Sequence, residues 1–238
     1  MPKHEYRGIL VAVEGIDGAG KTTQVQMLAE VLRAAGIEVV TSKEPTDGEW
    51  GRKIRQSATT GRMPVEEELQ AFVHDRTEHV ATLIGPALEA GKTVILDRYY
   101  LSSVAYQGSR GQSPEAIREL MESRFPIPDL AVLIDIGTPE SHVRISQYRN
   151  EVPNEFEQQE ALARALAIFR ETDWENAVRI DGSAGVGDVH RQIVAAYVNG
   201  PAKARLCAKP EGCGDVESCE FRQAGTCEWA RLRERLLG

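Results

Sequence analysis

The sequence predicts an α/β fold: a five-stranded parallel sheet flanked by helices on both faces, with a short cysteine-rich C-terminal appendage. Three observations lead there. Short apolar runs alternate with stretches of helical period, as expected of strands joined by crossover helices. The first apolar run passes straight into a glycine-rich turn. All four cysteines lie beyond residue 206, where the composition changes.

Gly8–Val13 (GILVAV) is continuously apolar, which suits a strand buried on both faces. A helix is expected from about Lys21, with Val25, Leu28, Leu32 and Ala35 at helical spacing and Gly36 as the stop. Ile37–Thr41 reads as the second strand. Glu66–Glu89 reads as mostly helical, with a break near Gly85 and Pro86 because proline lacks the N–H that a helix interior needs. Thr93–Leu96 forms the third strand and ends at Asp97; Leu130–Ile136 forms the fourth. Glu155–Glu171 has helical period, Ala177–Ile180 is a short fifth strand, and Asp188–Val198 is a closing helix. Gly200-Pro201 marks a boundary, giving a main domain over 1–199 and a tail over 200–238. From Pro201 onward there are seven Lys/Arg and six Asp/Glu, against 28 and 36 in the whole chain.

The 238 residues suit one such domain with a small appendage, and a hydrophobic content of 42% suffices for a core. The net charge of −8 disfavours nucleic acid and anionic membranes as partners, so anionic ligands need local basic groups. No apolar run approaches the roughly 18–20 residues of a membrane span. The apolar stretch after Met1–Arg7 is too brief for a secretory signal. These features lead us to expect a soluble cytoplasmic enzyme.

Gly15-Ile16-Asp17-Gly18-Ala19-Gly20-Lys21-Thr22 matches the G-x-x-x-x-G-K-[ST] phosphate loop, and it lies between a buried strand and an amphipathic helix, the context that the motif requires. The glycines let backbone N–H groups curl around a phosphate, and the helix adds its positive end. Lys21 supplies a point charge, and the Thr22 hydroxyl is suited to Mg²⁺. The expected fold is therefore that of the P-loop NTPases, with ATP and Mg²⁺ as ligands. No Asn-Lys-x-Asp guanine-reading motif is present, which disfavours a GTPase. Asp97, at the end of the third strand, is placed to hold Mg²⁺ directly or through water. Arg98 would face the cleft at the carboxyl ends of the strands, where a guanidinium fork suits a phosphate. Phe72 and Arg76 are four apart and share a helix face. They read either as a base-stacking ring beside a base-edge donor, or as a core residue beside a solvated one.

Four segments together resemble the thymidylate kinase (dTMP kinase) family of P-loop nucleoside monophosphate kinases: Glu14–Gln24, Lys43–Thr46, Phe72–Arg76 and Asp97–Gln107. The resemblance covers about residues 7–199. It implies transfer of the ATP γ-phosphoryl to dTMP, giving dTDP and ADP for dTTP biosynthesis. It also implies that Asp17 contacts the acceptor sugar, that Phe72 stacks on thymine and that Arg76 bonds its edge. Arg98 would grip the acceptor phosphate and Tyr106 would close against the deoxyribose, with Ser102, Ser103 and Gln107 completing the wall. Some family members carry a P-loop arginine where this chain has Gly18; members without it take that charge from a lid. The lid is expected at residues 141–157, with Arg144 or Arg149 reaching the transferred phosphoryl. A homodimer is common in the family. Rival readings are a kinase for another nucleoside monophosphate, and a metal- or redox-responsive nucleotide-binding switch.

The tail reads Cys207-x5-Cys213-x5-Cys219-x7-Cys227. Four thiolates suit a tetrahedral Zn²⁺ or an iron–sulfur cluster, and a metal staple would let so small a segment fold. Free thiols or disulfides are the alternative. Trp229, Leu232 and Leu236 recur at helical spacing and predict a docking helix.

Overall fold

The computed structural model describes residues 6–149, 159–174, 176–207 and 227–238. At its centre lie five parallel strands, β1 (Ile9–Glu14), β2 (Val39–Lys43), β3 (Thr93–Asp97), β4 (Leu130–Asp135) and β5 (Ala177–Asp181), in the order β2-β3-β1-β4-β5. Every residue of β1 is buried, and β3 and β4 are buried except at their final aspartates. Coverage on both faces explains their unbroken apolar runs. β2 and β5 form the edges and are partly exposed. The strand order reverses at β1, so a crevice opens at the carboxyl end of that strand.

Helix α1 (Lys21–Ala34) follows β1, and α2 (Glu49–Thr60) and α3 (Val65–His79) follow β2. α4 (Gly85–Glu89) leads into β3, which is followed by α5 (Tyr100–Gly108) and α6 (Pro114–Arg124). α7 (Thr138–Arg149) and α8 (Gln159–Glu171) lie between β4 and β5, and α9 (Val186–Tyr197), α10 (Lys203–Leu206) and α11 (Glu228–Leu237) come last. α1 packs with α9, while α5 packs with α3, α6 and α8. One core joins these faces to the sheet through residues such as Leu28, Leu32, Val104, Leu162, Phe169 and Ile193.

The second strand lies two residues later than the apolar run suggested. Gly36 takes φ 83°, and the Ile37 N–H returns to the Leu32 carbonyl at 3.0 Å, so this residue still belongs to the helix stop. The expected break at Gly85-Pro86 is instead a π-helical turn, Val80–Ile84. The Gly85 N–H reaches back to the Val80 carbonyl, and the wider turn carries the helix past a residue with no N–H. α2 was not foreseen. Its buried positions are Gly51, Ile54, Ser57 and Ala58, so small and polar residues hide its apolar stripe.

The tail returns to the body of the molecule. A π-helical segment, Val198–Ala202, crosses the expected boundary, and its Val198 and Ala202 belong to the main core. In α11, Leu232 enters the same core and the Trp229 indole N–H donates to the Val198 carbonyl at 2.8 Å. Arg235 Nη1 donates to the Ala35 carbonyl at the end of α1, at 2.9 Å. The Cys227 Sγ caps α11 by accepting from the Ala230 N–H at 3.4 Å. Cys207 and Cys227 are buried together against Trp229. No helix among the described residues is long and apolar enough to cross a membrane.

Candidate active site

β1 runs directly into the phosphate loop. Gly15, Gly18 and Gly20 take φ of 138°, 76° and 91°, values that L side chains rarely adopt. A Cβ added at Gly18 would lie 2.7 Å from the Ser141 carbonyl oxygen. The Ser141 hydroxyl in turn donates to the Asp17 carbonyl at 2.7 Å, so the first turn of α7 rests on the loop. Lys21 Nζ donates to the Ile16 carbonyl at 2.9 Å. Burial, with Arg98 nearby, lowers the Lys21 ammonium to about 8; a phosphate beside it would favour the charged form again. The Thr22 hydroxyl donates to Asp97 Oδ2 at 2.5 Å. These two hard oxygen donors beside Lys21 fit Mg²⁺.

Opposite the loop, Arg98 holds φ 71° and turns its side chain back toward β1. Its Nη2 donates to Asp17 Oδ1 at 2.8 Å, and its Nη1 donates to the Gly15 carbonyl at 3.2 Å and to the Ser102 hydroxyl at 3.0 Å. The Tyr106 hydroxyl donates to the second Asp17 oxygen at 3.0 Å, and the Arg98 guanidinium lies 5.2 Å from the Tyr106 ring centre. Burial and the Asp17 carboxylate hold the Tyr106 hydroxyl above its usual range, so it stays a donor. Beneath them, Glu14 is fully buried. It accepts from the backbone N–H groups of Tyr99 at 2.8 Å and Ser102 at 3.3 Å, and from the Ser102 hydroxyl at 2.5 Å. Burial outweighs these bonds and pushes the Glu14 carboxyl up to about 7.

A cavity of about 860 Å³ joins the two sides. Its walls include Asp17, Gly18, Gly20, Lys21, Thr22, Phe72, Arg76, Asp97, Arg98, Ser102, Ser103, Tyr106 and Arg144. Phe72 and Arg76 project from α3, and Arg76 is only 1% exposed. Gly15, Ile16 and Ala19 lie behind this surface and shape the loop. Gln107 does not line the cavity: it is fully buried and donates to Glu68 Oε1 at 3.0 Å, a carboxylate that also pairs with Arg62 and Arg110. It shares a face of α5 with the cavity-facing Ser103 but lies one turn farther along, where Glu68 takes its amide. Arg144 reaches the cavity from α7 and donates to the Gly182 carbonyl at 2.9 Å. The Arg149 side chain and residues 150–158 lie outside the described residues.

The cavity also takes Lys43 of the Lys43–Thr46 segment, together with Ile54, Arg55, Ile145 and Val186, which sequence reasoning did not single out. Arg55 sits on α2 and is tied to the Pro45 carbonyl at 2.7 Å and to Asp47 at 2.8 Å. Its signal was its place beside Ile54 and Ala58, one face of a helix that the periodicity did not reveal. For the tail, Cys207 and Cys227 come together, whereas Cys213 and Cys219 lie outside the described residues. Among the described residues, no group of three or more metal-binding side chains converges.

A family model described as thymidylate kinase matches residues 13–193. The thymidylate kinase of Xanthomonas euvesicatoria pv. vesicatoria (strain 85-10) is 49% identical over 193 residues, covering 80% of this chain and 84% of that protein. The thymidylate kinase of Akkermansia muciniphila is 46% identical over 189 residues, covering 79% of this chain and 91% of that protein. The match spans the phosphate loop and both walls of the cavity, and on that ground the chain belongs to the thymidylate kinase family.

Proposed function

We propose that the protein transfers the γ-phosphoryl group of ATP to dTMP, giving dTDP and ADP. The observation that carries this reading is a shared cavity in which the phosphate loop faces Phe72, Arg76, Arg98 and Tyr106. Phosphoryl transfer needs donor and acceptor in line and their charge offset, with little covalent chemistry from the protein. Lys21 offsets charge on the donor side. Arg98 grips the acceptor phosphate, and Arg55 adds a second cation to that part of the wall. Mg²⁺, held by Thr22 and Asp97, would offset the remaining phosphate charge. Asp17, fixed by Arg98 and Tyr106, meets the sugar hydroxyl, and Tyr106 occupies the space that a 2′-hydroxyl would need. Phe72 stacks on the base and Arg76 donates to its edge. Arg144 supplies positive charge from α7, and Arg149 is its alternative. A coupled ADP-release assay across nucleoside monophosphates should give the highest kcat/KM with dTMP. Equal or better use of dCMP, UMP or AMP would overturn the acceptor assignment.

Three finer readings accompany it. We place the enzyme in the cytoplasm and read it as a homodimer, which light scattering at micromolar concentration tests. We also propose that Cys207, Cys213, Cys219 and Cys227 bind Zn²⁺ or an iron–sulfur cluster. The burial of two of these thiols in one cluster supports that reading. Elemental analysis should find about one zinc, or several irons with acid-labile sulfide, per chain. Metal-free protein that melts at the same temperature would dismiss it.

A further inference from the structure

Arg76 lines the cavity from α3, and its hydrogen-bonding capacity is almost spent inside the protein. Its Nε donates to Glu44 Oε2 at 2.8 Å and its Nη2 contacts the same oxygen at 2.6 Å. Nη2 also donates to the Ser103 hydroxyl at 3.0 Å, and Nη1 to the Met121 sulfur at 3.0 Å. The rings of Tyr99 and Phe125 lie 5.2 and 5.6 Å from the guanidinium carbon and limit its swing out of plane. Five N–H groups minus these partners leave one Nη1 donor for a ligand. In-plane rotation of the guanidinium is set chiefly by Glu44, its one charged partner among the described residues, which takes two of the donors.

Glu44 is itself held. The His79 ring meets Oε1 through Nδ1 at 3.0 Å and the Ser42 hydroxyl through Nε2 at 2.8 Å. A carboxylate only accepts, so Nδ1 carries a proton. His79 thereby takes Oε1 and leaves Oε2 to Arg76. Burial alone would raise the Glu44 carboxyl; Arg76 and His79 outweigh it and hold it below the usual carboxylate range. Glu44 and His79 are both about 5% exposed, so water does not compete for these bonds. Removing the carboxylate would leave a buried guanidinium without a counter-charge.

We infer that Glu44, oriented by His79, is the positioning residue that fixes the donor edge Arg76 presents to the acceptor base, and so sets the preference for a 4-keto over a 4-amino pyrimidine. A donor-only group held in one orientation accepts a keto oxygen as partner and meets an amino group donor to donor. If the guanidinium can turn, that contrast fades.

The inference rests on the acceptor reading above, and one data set separates the two. Initial rates with dTMP and dCMP are measured for the wild type, Glu44→Gln and His79→Gln. A wild type that does not favour dTMP would sink the acceptor reading itself. Given that preference, Glu44→Gln should raise KM for dTMP about tenfold with a smaller change in kcat, the loss expected for one charge-assisted hydrogen bond. The ratio of kcat/KM for dTMP over dCMP should shrink by about the same factor. His79→Gln should move the ratio in the same direction by less, and should add little in the Glu44→Gln background, since both act through Arg76. A Glu44→Gln enzyme with equal losses on both acceptors and an unchanged ratio has lost only stability, and the positioning role would be wrong. Should Glu44→Gln fail to fold, His79→Gln decides alone, by the same ratio.

Discussion

Arg98 adopts φ 71°, which costs a non-glycine residue about 1 kcal/mol. Its bonds to Asp17, Gly15 and Ser102 hold it there. Strain kept at one residue of a cleft points to use rather than support. Arg98→Gly removes the strain along with the side chain. We expect kcat/KM to fall by at least about 100-fold while the melting temperature changes by only a few degrees. A large drop in both would show that Arg98 is mainly structural. Glu14 allows a pH test. Its folded carboxyl, at about 7, lies above the 4.5 of a free glutamate. The stability it contributes is full below the unfolded value and is lost as pH rises through the folded one. Thermal melts should therefore show Glu14→Gln gaining on the wild type between about pH 5 and pH 8, by up to about 3 kcal/mol. Parallel melting curves over that range would contradict the buried-acid account. Most of these residues were legible because the family motifs name them by position. Glu14 was seen only as the residue before a loop, since nothing in its local sequence reveals three donors arriving from α5. Gln107 does not reach the cavity, because a helix face shared with Ser103 does not say how far along the helix the cavity extends.

Among the elements, α7 shows how two segments constrain each other. Its Ser141 closes over the loop so tightly that Gly18 has no room for a side chain. Gly18→Ala should destabilise the protein by about 1–3 kcal/mol, through the left-handed backbone and the contact with Ser141. Gly18→Arg should lower kcat rather than raise it, because it displaces the helix that carries Arg144. An increase in kcat would mean that α7 yields and that the loop arginine of other family members can be transplanted. The strands β1, β3 and β4 were readable from the chain because full burial writes an unbroken apolar run. β2 was displaced because a helix stop and an edge strand compete for the same apolar residues, and backbone bonding at Ile37 decides. α2 was missed since Gly51, Ser57 and Ala58 pack closely without looking hydrophobic.

At the scale of the whole molecule, the tail and the sheet share one core. Trp229 and Leu232 are 2% and 3% exposed, so truncation of either removes well-packed side chains. Trp229→Ala should cost about 3–5 kcal/mol by chemical denaturation, in one cooperative transition. Two separated transitions would show that the tail melts independently of the sheet. The clustering of cysteines pointed to a distinct segment, yet it could not say where that segment rests, because contacts between residues 200 apart leave no periodicity to read. Arg235 makes one such contact, on Ala35 at the end of α1.

α1 begins at Lys21, at the phosphate loop, and ends under that tail arginine, about 20 Å away. The Trp229 indole, on the same helix as Arg235, is buried, bonded to Val198 and 5.3 Å from the Lys203 ammonium. It is therefore an intrinsic optical gauge of tail docking. With Trp50 and Trp174 replaced by phenylalanine, its emission reports the seating of the tail separately from events at the cavity, without any attached dye.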